Sequence, residues 1–260
     1  MNPPPDIGAP PPSTALDALM TGIAGNYGWK VDATMSSWLK AQLARRYLSP
    51  GSLLCDAGCA NGLFVRYLAP HCAHATALDL NAAMLEQARI MIEQEGFRNI
   101  DLVRGDLMRL PLRDGTYDMV CCFSTLLLVP DADAALREMT RILKPGGIII
   151  LDIAGRYNLS ALYWALWYRR RGHFGIRAFS YGGISETLRR LDLTTIEAHA
   201  LGFCDQWKYV PGLHLLKRLE RVFHRSPDPV HNLDYRVSNA PGLFRLANRW
   251  YIVARKDAAG

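Results

Sequence analysis

The chain has 260 residues, 50% of them hydrophobic and 21% charged, proportions that fit a globular protein and exclude a low-complexity or collagen-like one. Its formal charge is +6, with the arginine-rich stretches mostly beyond Tyr157. The excess reads as a solvated basic face or, more sharply, as a match for an acidic substrate or an anionic membrane surface; nucleic acid suits it less, because the basic residues are not interleaved into a known module.

Six cysteines, at 55, 59, 72, 121, 122 and 204, contain no C-x-x-C pair. That spacing favours neither a disulfide framework nor a metal centre, and reduced thiols in the cytoplasm are expected. Residues 1–14 are dominated by proline, without the apolar stretch of a signal peptide. They are expected to form a disordered tail ahead of one domain over 15–260. No apolar run approaches the ~18 residues of a membrane-spanning helix.

In chain order, Ala15 to Leu48 carries helical patterning, with Trp38, Leu39, Ala41, Leu43, Ala44 and Leu48 recurring by turns and Pro50-Gly51 as the stop. The run Leu53-Leu54-Cys55-Asp56-Ala57-Gly58-Cys59-Ala60-Asn61-Gly62 reads as strand, glycine-rich loop and helix entry. Gly58 and Gly62 permit positive φ or close approach of a ligand. A second strand, Ala75 to Leu80, contains Asp79, 23 positions after Asp56. That is near the roughly 20-residue offset at which a carboxylate meets ribose hydroxyls, with Asn81 available to cap the next helix instead. Helix Ala82 to Glu95 is expected to bury Met84, Leu85, Ala88, Met91 and Ile92.

A third strand, Ile100 to Arg104, leads into Gly105-Asp106-Leu107. Strand Tyr117 to Phe123 holds Cys121 and Cys122, which would point to opposite faces. The following Ser124 to Asp131 gives the strand end an apolar mouth. Helix Ala132 to Leu143 is stopped by Lys144-Pro145-Gly146-Gly147, and strand Ile148 to Ile153 follows. Beyond it, Ser185 to Leu191 reads as helix, Leu193 to Leu201 as strand, and Trp250 to Arg255 as the last strand. Alternating strands and helices imply a doubly wound α/β fold around a parallel sheet.

The loop pattern D-x-G-x-x-x-G resembles motif I of the class I S-adenosylmethionine-dependent methyltransferases, of the small-molecule type similar to the ubiquinone-biosynthesis core. Ala60 stands where many members carry glycine. A dinucleotide fingerprint, G-x-G-x-x-G, is not met, because Ala60 and Leu63 occupy its second and third glycines. A nicotinamide oxidoreductase and a non-catalytic cofactor-binding protein are the alternatives from other classes. The resemblance covers about residues 34–201 and 248–256. It implies a seven-stranded, mostly parallel sheet with an antiparallel seventh strand beside the sixth. It implies S-adenosyl-L-methionine as cofactor, the loop wrapping its amino-acid end, Asp79 on the ribose and Asp106 on the adenine amine. The implied cofactor residues are Tyr27, Asp56, Gly58, Cys59, Ala60, Gly62, Asp79, Leu80, Met84, Gly105, Asp106, Leu107 and Phe123. Tyr27 belongs to a leading aromatic segment that folds over the cleft as a lid. Many relatives carry histidine at Leu127 and Leu128, which this chain lacks.

Two segments exceed what such a core needs, about 155–181 and 204–248. Both are expected to be helical pieces of a cap over the acceptor pocket, whose aromatic walls suit an apolar or aromatic acceptor. The Trp- and Arg-rich stretch 159–171 is also suited to peripheral contact with the inner membrane face. Candidate bases are His173, Tyr157, Tyr181 and His199, with His173 first because it sits in the cap. O-methylation of a small acceptor is the favoured reaction, ahead of C-methylation of a quinone or polyketide-like ring.

Overall fold

A computed structural model of the chain describes residues 34–157, 177–204 and 229–258, with isolated positions 31, 161, 163, 166, 169 and 170. The expected tail 1–14, Tyr27, His173 and most of the two cap segments lie outside the described residues.

Helix α1 (Met35–Tyr47) begins where the Thr34 side chain accepts the Ser37 amide, and it buries Leu39, Leu43 and Ala44. Strand β1 (Leu53–Ala57) runs through the glycine loop into the short helix α2 (Leu63–Leu68). Strand β2 (His74–Asp79), helix α3 (Ala82–Gln94) and strand β3 (Ile100–Arg104) follow. Next come β4 (Tyr117–Cys122), α4 (Ala132–Ile142), β5 (Leu143–Ala154), α5 (Tyr181–Arg190) and β6 (Leu193–Leu201). Helix α6 (Leu233–Ser238) and strand β7 (Arg249–Lys256) complete the described elements.

The seven strands form one sheet in the order β3-β2-β1-β4-β5-β7-β6. The first five are parallel, and β7 runs antiparallel between β5 and β6. Chain progression reverses between β1 and β4, so the crevice at their carboxyl ends is the topological switch point where open α/β sheets take ligands.

Apolar side chains cover the sheet on both faces. Ala57, Val120, Cys122 and Leu151 pack with α4 and α5 on one side, while Leu54, Met119, Cys121 and Ile150 pack with α1 and α2 on the other. Cys121 and Cys122 thus separate to opposite faces, as strand geometry requires.

Two boundaries and one burial depart from the sequence expectations. Helix α5 starts at Tyr181, four residues early, because Ser180 accepts the Gly183 amide and caps it despite two glycines in the first turn. Strand β5 starts at Leu143, paired with Tyr117, so Lys144–Gly147 lie within an irregular strand. Met91 of α3 is 38% exposed, leaving Met84, Ala88 and Ile92 as the buried stripe.

Candidate functional site

The loop after β1 is folded by hydrogen bonds to β2. The amides of Gly58 and Cys59 both donate to the Leu78 carbonyl, at 2.7 and 2.9 Å. Gly58 has φ +88°, and a Cβ there would lie 2.6 Å from Cγ2 of Thr125, whose hydroxyl donates to the Gly58 carbonyl at 3.3 Å. The first glycine is therefore required twice, by backbone conformation and by the approach of the segment after β4. Gly62, at φ +77°, sits against Ala88 of α3 and opens α2. Ala60 occupies the left-handed region at φ 48°, where a non-glycine residue costs about 1–2 kcal/mol.

Three carboxylates lie at the ends of β1, β2 and β3. Asp79 holds the loop directly, its two oxygens accepting the amides of Ala60 and Asn81, each at 2.9 Å. Asn81 in turn caps α3 by accepting the Met84 amide, so the capping role does not fall to Asp79. Asp106 accepts the Met108 amide at 2.8 Å, beside the buried Leu107. Asp56 is 2% exposed and takes a hydrogen bond from the Val65 amide. Its Oδ2 has no hydrogen-bond partner among the described residues. Burial, reinforced by the neighbouring charge of Asp79, pushes its pKa up to about 7.

The other implied site residues surround this edge. Cys59 and Phe123 are buried, Leu80 is half-buried and Met84 is fully enclosed beneath α3's first turn. Gly105 is packed so that a Cβ would stand 2.8 Å from Pro111 Cδ. Phe123 meets Phe64 edge-on, ring centroids 4.8 Å apart.

The strand-four mouth differs from the apolar opening expected. Leu126 and Leu127 turn into the core, at 0% and 5% exposure. The position is instead marked by Ser124, which has φ 56°. Ser124 Oγ donates to Asp152 Oδ2 at 2.7 Å and accepts from Lys40 Nζ at 2.9 Å. Lys40 also pairs with Asp152 Oδ2 at 2.7 Å, and Arg249 reaches Oδ1 at 2.9 Å. Burial alone would raise the pKa of the fully buried Asp152, but Arg249 and Lys40 overcome it and hold the carboxyl well below the usual range. Burial lowers the Lys40 pKa against the pull of Asp152. This clamp joins α1, the turn after β4, β5 and β7, and sequence reasoning missed it. Its signal was a lone acid in the apolar run Ile148–Ile153, which demands a buried partner.

The candidate bases are dispersed. Tyr181 packs edge-on against Phe244 and Trp250. His199 is held at both nitrogens, by Tyr235 at 2.6 Å and Glu197 at 2.8 Å, and so links β6 to α6. Tyr157 is 58% exposed. Among the described residues no group of His, Cys, Asp or Glu side chains could hold a metal ion. Among them too, no helix is long and apolar enough to cross a membrane.

Residues 55–151 match the family model described as a methyltransferase domain. A malonyl-[acyl-carrier protein] O-methyltransferase of Serratia marcescens is 36% identical over 132 residues, covering 50% of this chain and 49% of the relative. A demethylmenaquinone methyltransferase of Listeria welshimeri serovar 6b is 32% identical over 114 residues, covering 42% and 48%. The chain therefore spans about half the length of the curated relatives it matches. Among solved structures, phosphoethanolamine N-methyltransferase 2 of Haemonchus contortus, in complex with S-adenosyl-L-methionine, superposes with TM-score 0.64. Identity is 15%, over 94% of this chain and 57% of that one, so the likeness concerns the fold. The strand order and the glycine loop agree with this match, so the stretch 55–151 is similar to a methyltransferase domain and the sheet that holds it has the fold of the superposed methyltransferase.

Proposed function

We propose that the protein transfers a methyl group from S-adenosyl-L-methionine to a small apolar or aromatic acceptor. The observation that carries this reading is the row of Asp56, Asp79 and Asp106 at the ends of adjacent strands, with one buried oxygen of Asp56 lacking a partner among the described residues. The cofactor offers a match for such a row: an ammonium group, two vicinal hydroxyls and an exocyclic amine, all donors to carboxylates. Asp79 serves the ribose, its oxygens retaining acceptor capacity beyond the two amides they hold. Asp106 serves the adenine amine beside the apolar Leu107, and Gly58 to Gly62 enclose the amino-acid end. Tyr27, Leu80, Met84, Gly105 and Phe123 complete the proposed lining.

When bound, the cofactor supplies a methyl group already activated by its sulfonium charge. What the protein must add is alignment of the acceptor and exclusion of water. Segments 155–181 and 204–248 serve as the cap that does so. In support, the Arg177 amide donates to the Leu127 carbonyl at 2.7 Å, bringing the end of the first segment back over the turn after β4. Asp234 of α6 accepts the amides of Gly202 and Cys204, anchoring the second segment to the end of β6. His173 is the proposed base for a hydroxyl acceptor, and contact of segment 159–171 with a membrane face is part of the same reading.

O-methylation is favoured, in keeping with the name of the Serratia relative. C-methylation of a quinone-type ring is the second reading, favoured by the name of the Listeria one. The test is incubation of the protein with deuteromethyl-labelled cofactor and cell extract, followed by mass spectrometry. A labelled small molecule that is absent with Gly58→Ala protein supports the proposal, and its bond type decides between oxygen and carbon. Cofactor binding with no labelled product from any extract would overturn it.

A further inference from the structure

Lysine is among the residues least often buried, yet the Lys40 side chain is only 7% exposed. Its ammonium group has three N–H donors. Two of them go to Asp152 Oδ2 at 2.7 Å and Ser124 Oγ at 2.9 Å, and the third has no hydrogen-bond acceptor among the described residues. What stands beside it instead is aromatic: Lys40 Nζ lies 5.6 Å from the ring centre of Phe64 and 5.8 Å from that of Phe123. The carboxylate that Lys40 leans on is shared, because Asp152 also receives Arg249 through Oδ1. Burial lowers the Lys40 pKa, and the like charge of Arg249 lowers it further against the pull of Asp152.

The clamp sits at the root of both cap segments. Asp152 lies just before Gly155, where segment 155–181 leaves β5, and Arg249 directly follows segment 204–248. The two roots meet there, with the Gly155 amide donating to the Asn248 carbonyl at 2.8 Å. The Arg249 side chain is 28% exposed, so the cluster opens to solvent on that side. The row of Asp56, Asp79 and Asp106 belongs to β1, β2 and β3, whereas the clamp belongs to β4, β5 and β7. A spare ammonium donor asks for an acceptor oxygen, two neighbouring cations ask for an anion, and two phenyl rings ask for apolar matter beside it. A carboxylate on an apolar or aromatic body meets all three. An amide meets only the first and last, and a phosphate dianion brings more charge than one donor serves.

We propose that Lys40, steadied by Asp152 and Ser124, seats a ligand carboxylate at the root of the cap, and that an acidic acceptor supplies it. The carboxylate anchors the acceptor, whose body lies against Phe64 and Phe123. The acceptor's part in this rests on the methyltransferase reading, whereas the carboxylate seat does not. The amino-acid end of the cofactor carries the same group, so the two sources are separated by the test.

The experiment is calorimetric titration of protein saturated with S-adenosylhomocysteine, using benzoate and its neutral counterpart benzamide at low and high salt. The same pair is titrated without cofactor, and S-adenosylhomocysteine is compared with its decarboxylated counterpart. The expected result is that benzoate binds the saturated protein at least about tenfold tighter than benzamide, a preference that high salt leaves largely in place because a buried pair is weakly screened. Lys40→Met is expected to remove most of that preference. Its melting curve, and its affinity for the decarboxylated compound, show whether it has folded; the titrations of the parent protein hold without it. Equal binding of benzoate and benzamide, a preference that vanishes at high salt, or one that folded Lys40→Met retains would overturn the seat. Exclusion of benzoate by S-adenosylhomocysteine would give the carboxylate to the cofactor and overturn the acidic acceptor, provided Lys40→Met weakened S-adenosylhomocysteine but not its decarboxylated counterpart. Failure of the parent protein to bind S-adenosylhomocysteine would instead contradict the methyltransferase reading, and the titration without cofactor would then decide the seat by itself.

Discussion

The two halves of the sheet's carboxyl edge are built differently. Over β1, β2 and β3, charged groups are held by backbone amides a few residues away: Asp79 by Ala60 and Asn81, Asp106 by Met108, Asp56 by Val65. Over β4, β5 and β7, the charged groups hold one another across the fold, through Lys40, Ser124, Asp152 and Arg249. A site made of local turns can keep its shape while its surroundings vary. A site made of a buried ion cluster depends on every element that contributes to it.

The largest effect should come from breaking the clamp. Asp152→Asn leaves the buried Lys40 and the half-buried Arg249 side by side without their carboxylate, and should cost about 3–5 kcal/mol in a denaturant melt. The local half should break more narrowly. Gly58→Ala meets both a positive φ and the Thr125 side chain, and should cost about 2–3 kcal/mol while reducing S-adenosylhomocysteine affinity more than stability. Paired melting and calorimetry on these two variants test the comparison. Equal loss of cofactor affinity in both would erase the distinction between the halves.

A third prediction concerns pH. The Asp56 pKa is raised in the folded protein, to about 7, above its unfolded value near 3.8. Its contribution to stability is therefore fully present below the unfolded value and lost as pH rises through about 7. The melting temperature of the ligand-free protein should fall across that range, and Asp56→Asn should flatten the fall. The Asp152 carboxyl has the opposite sign: held low, it supports stability above its unfolded pKa and withdraws it only in strong acid. The smallest effect is expected at Ala60. Glycine there removes left-handed strain of about 1–2 kcal/mol but adds about 0.5–1 kcal/mol of backbone entropy. Ala60→Gly should thus raise stability by roughly 0.5 kcal/mol, read as a small upward shift in melting temperature.

What was legible in the sequence follows the same division. The pattern Asp56-x-Gly58-x-x-x-Gly62, the offset to Asp79 and the cap at Asn81 are local, so their spacing carries the geometry. Strand alternation and the helix stripes placed the sheet to within a few residues at most ends. The clamp was not legible, because Arg249 lies 97 residues from Asp152 and Lys40 lies 84 from Ser124. Nothing in a local window says that a helix lysine will be buried against an aspartate of a strand more than a hundred positions further along. The inward turn of Leu126 and Leu127 was hidden for a related reason: an apolar triplet at a strand end reads alike whether it lines a mouth or plugs a core.

The account turns on a cationic ligand meeting the unpartnered oxygen of Asp56 at the switch point. Titration calorimetry of S-adenosylmethionine near pH 7, in two buffers of different ionisation enthalpy, addresses this directly. The predicted result is one molecule bound per chain with release of about half a proton, because a nearby cation lowers a carboxyl pKa that stands at about 7. The release should vanish in Asp56→Asn. Absence of binding, or binding whose heat is the same in both buffers, would contradict it.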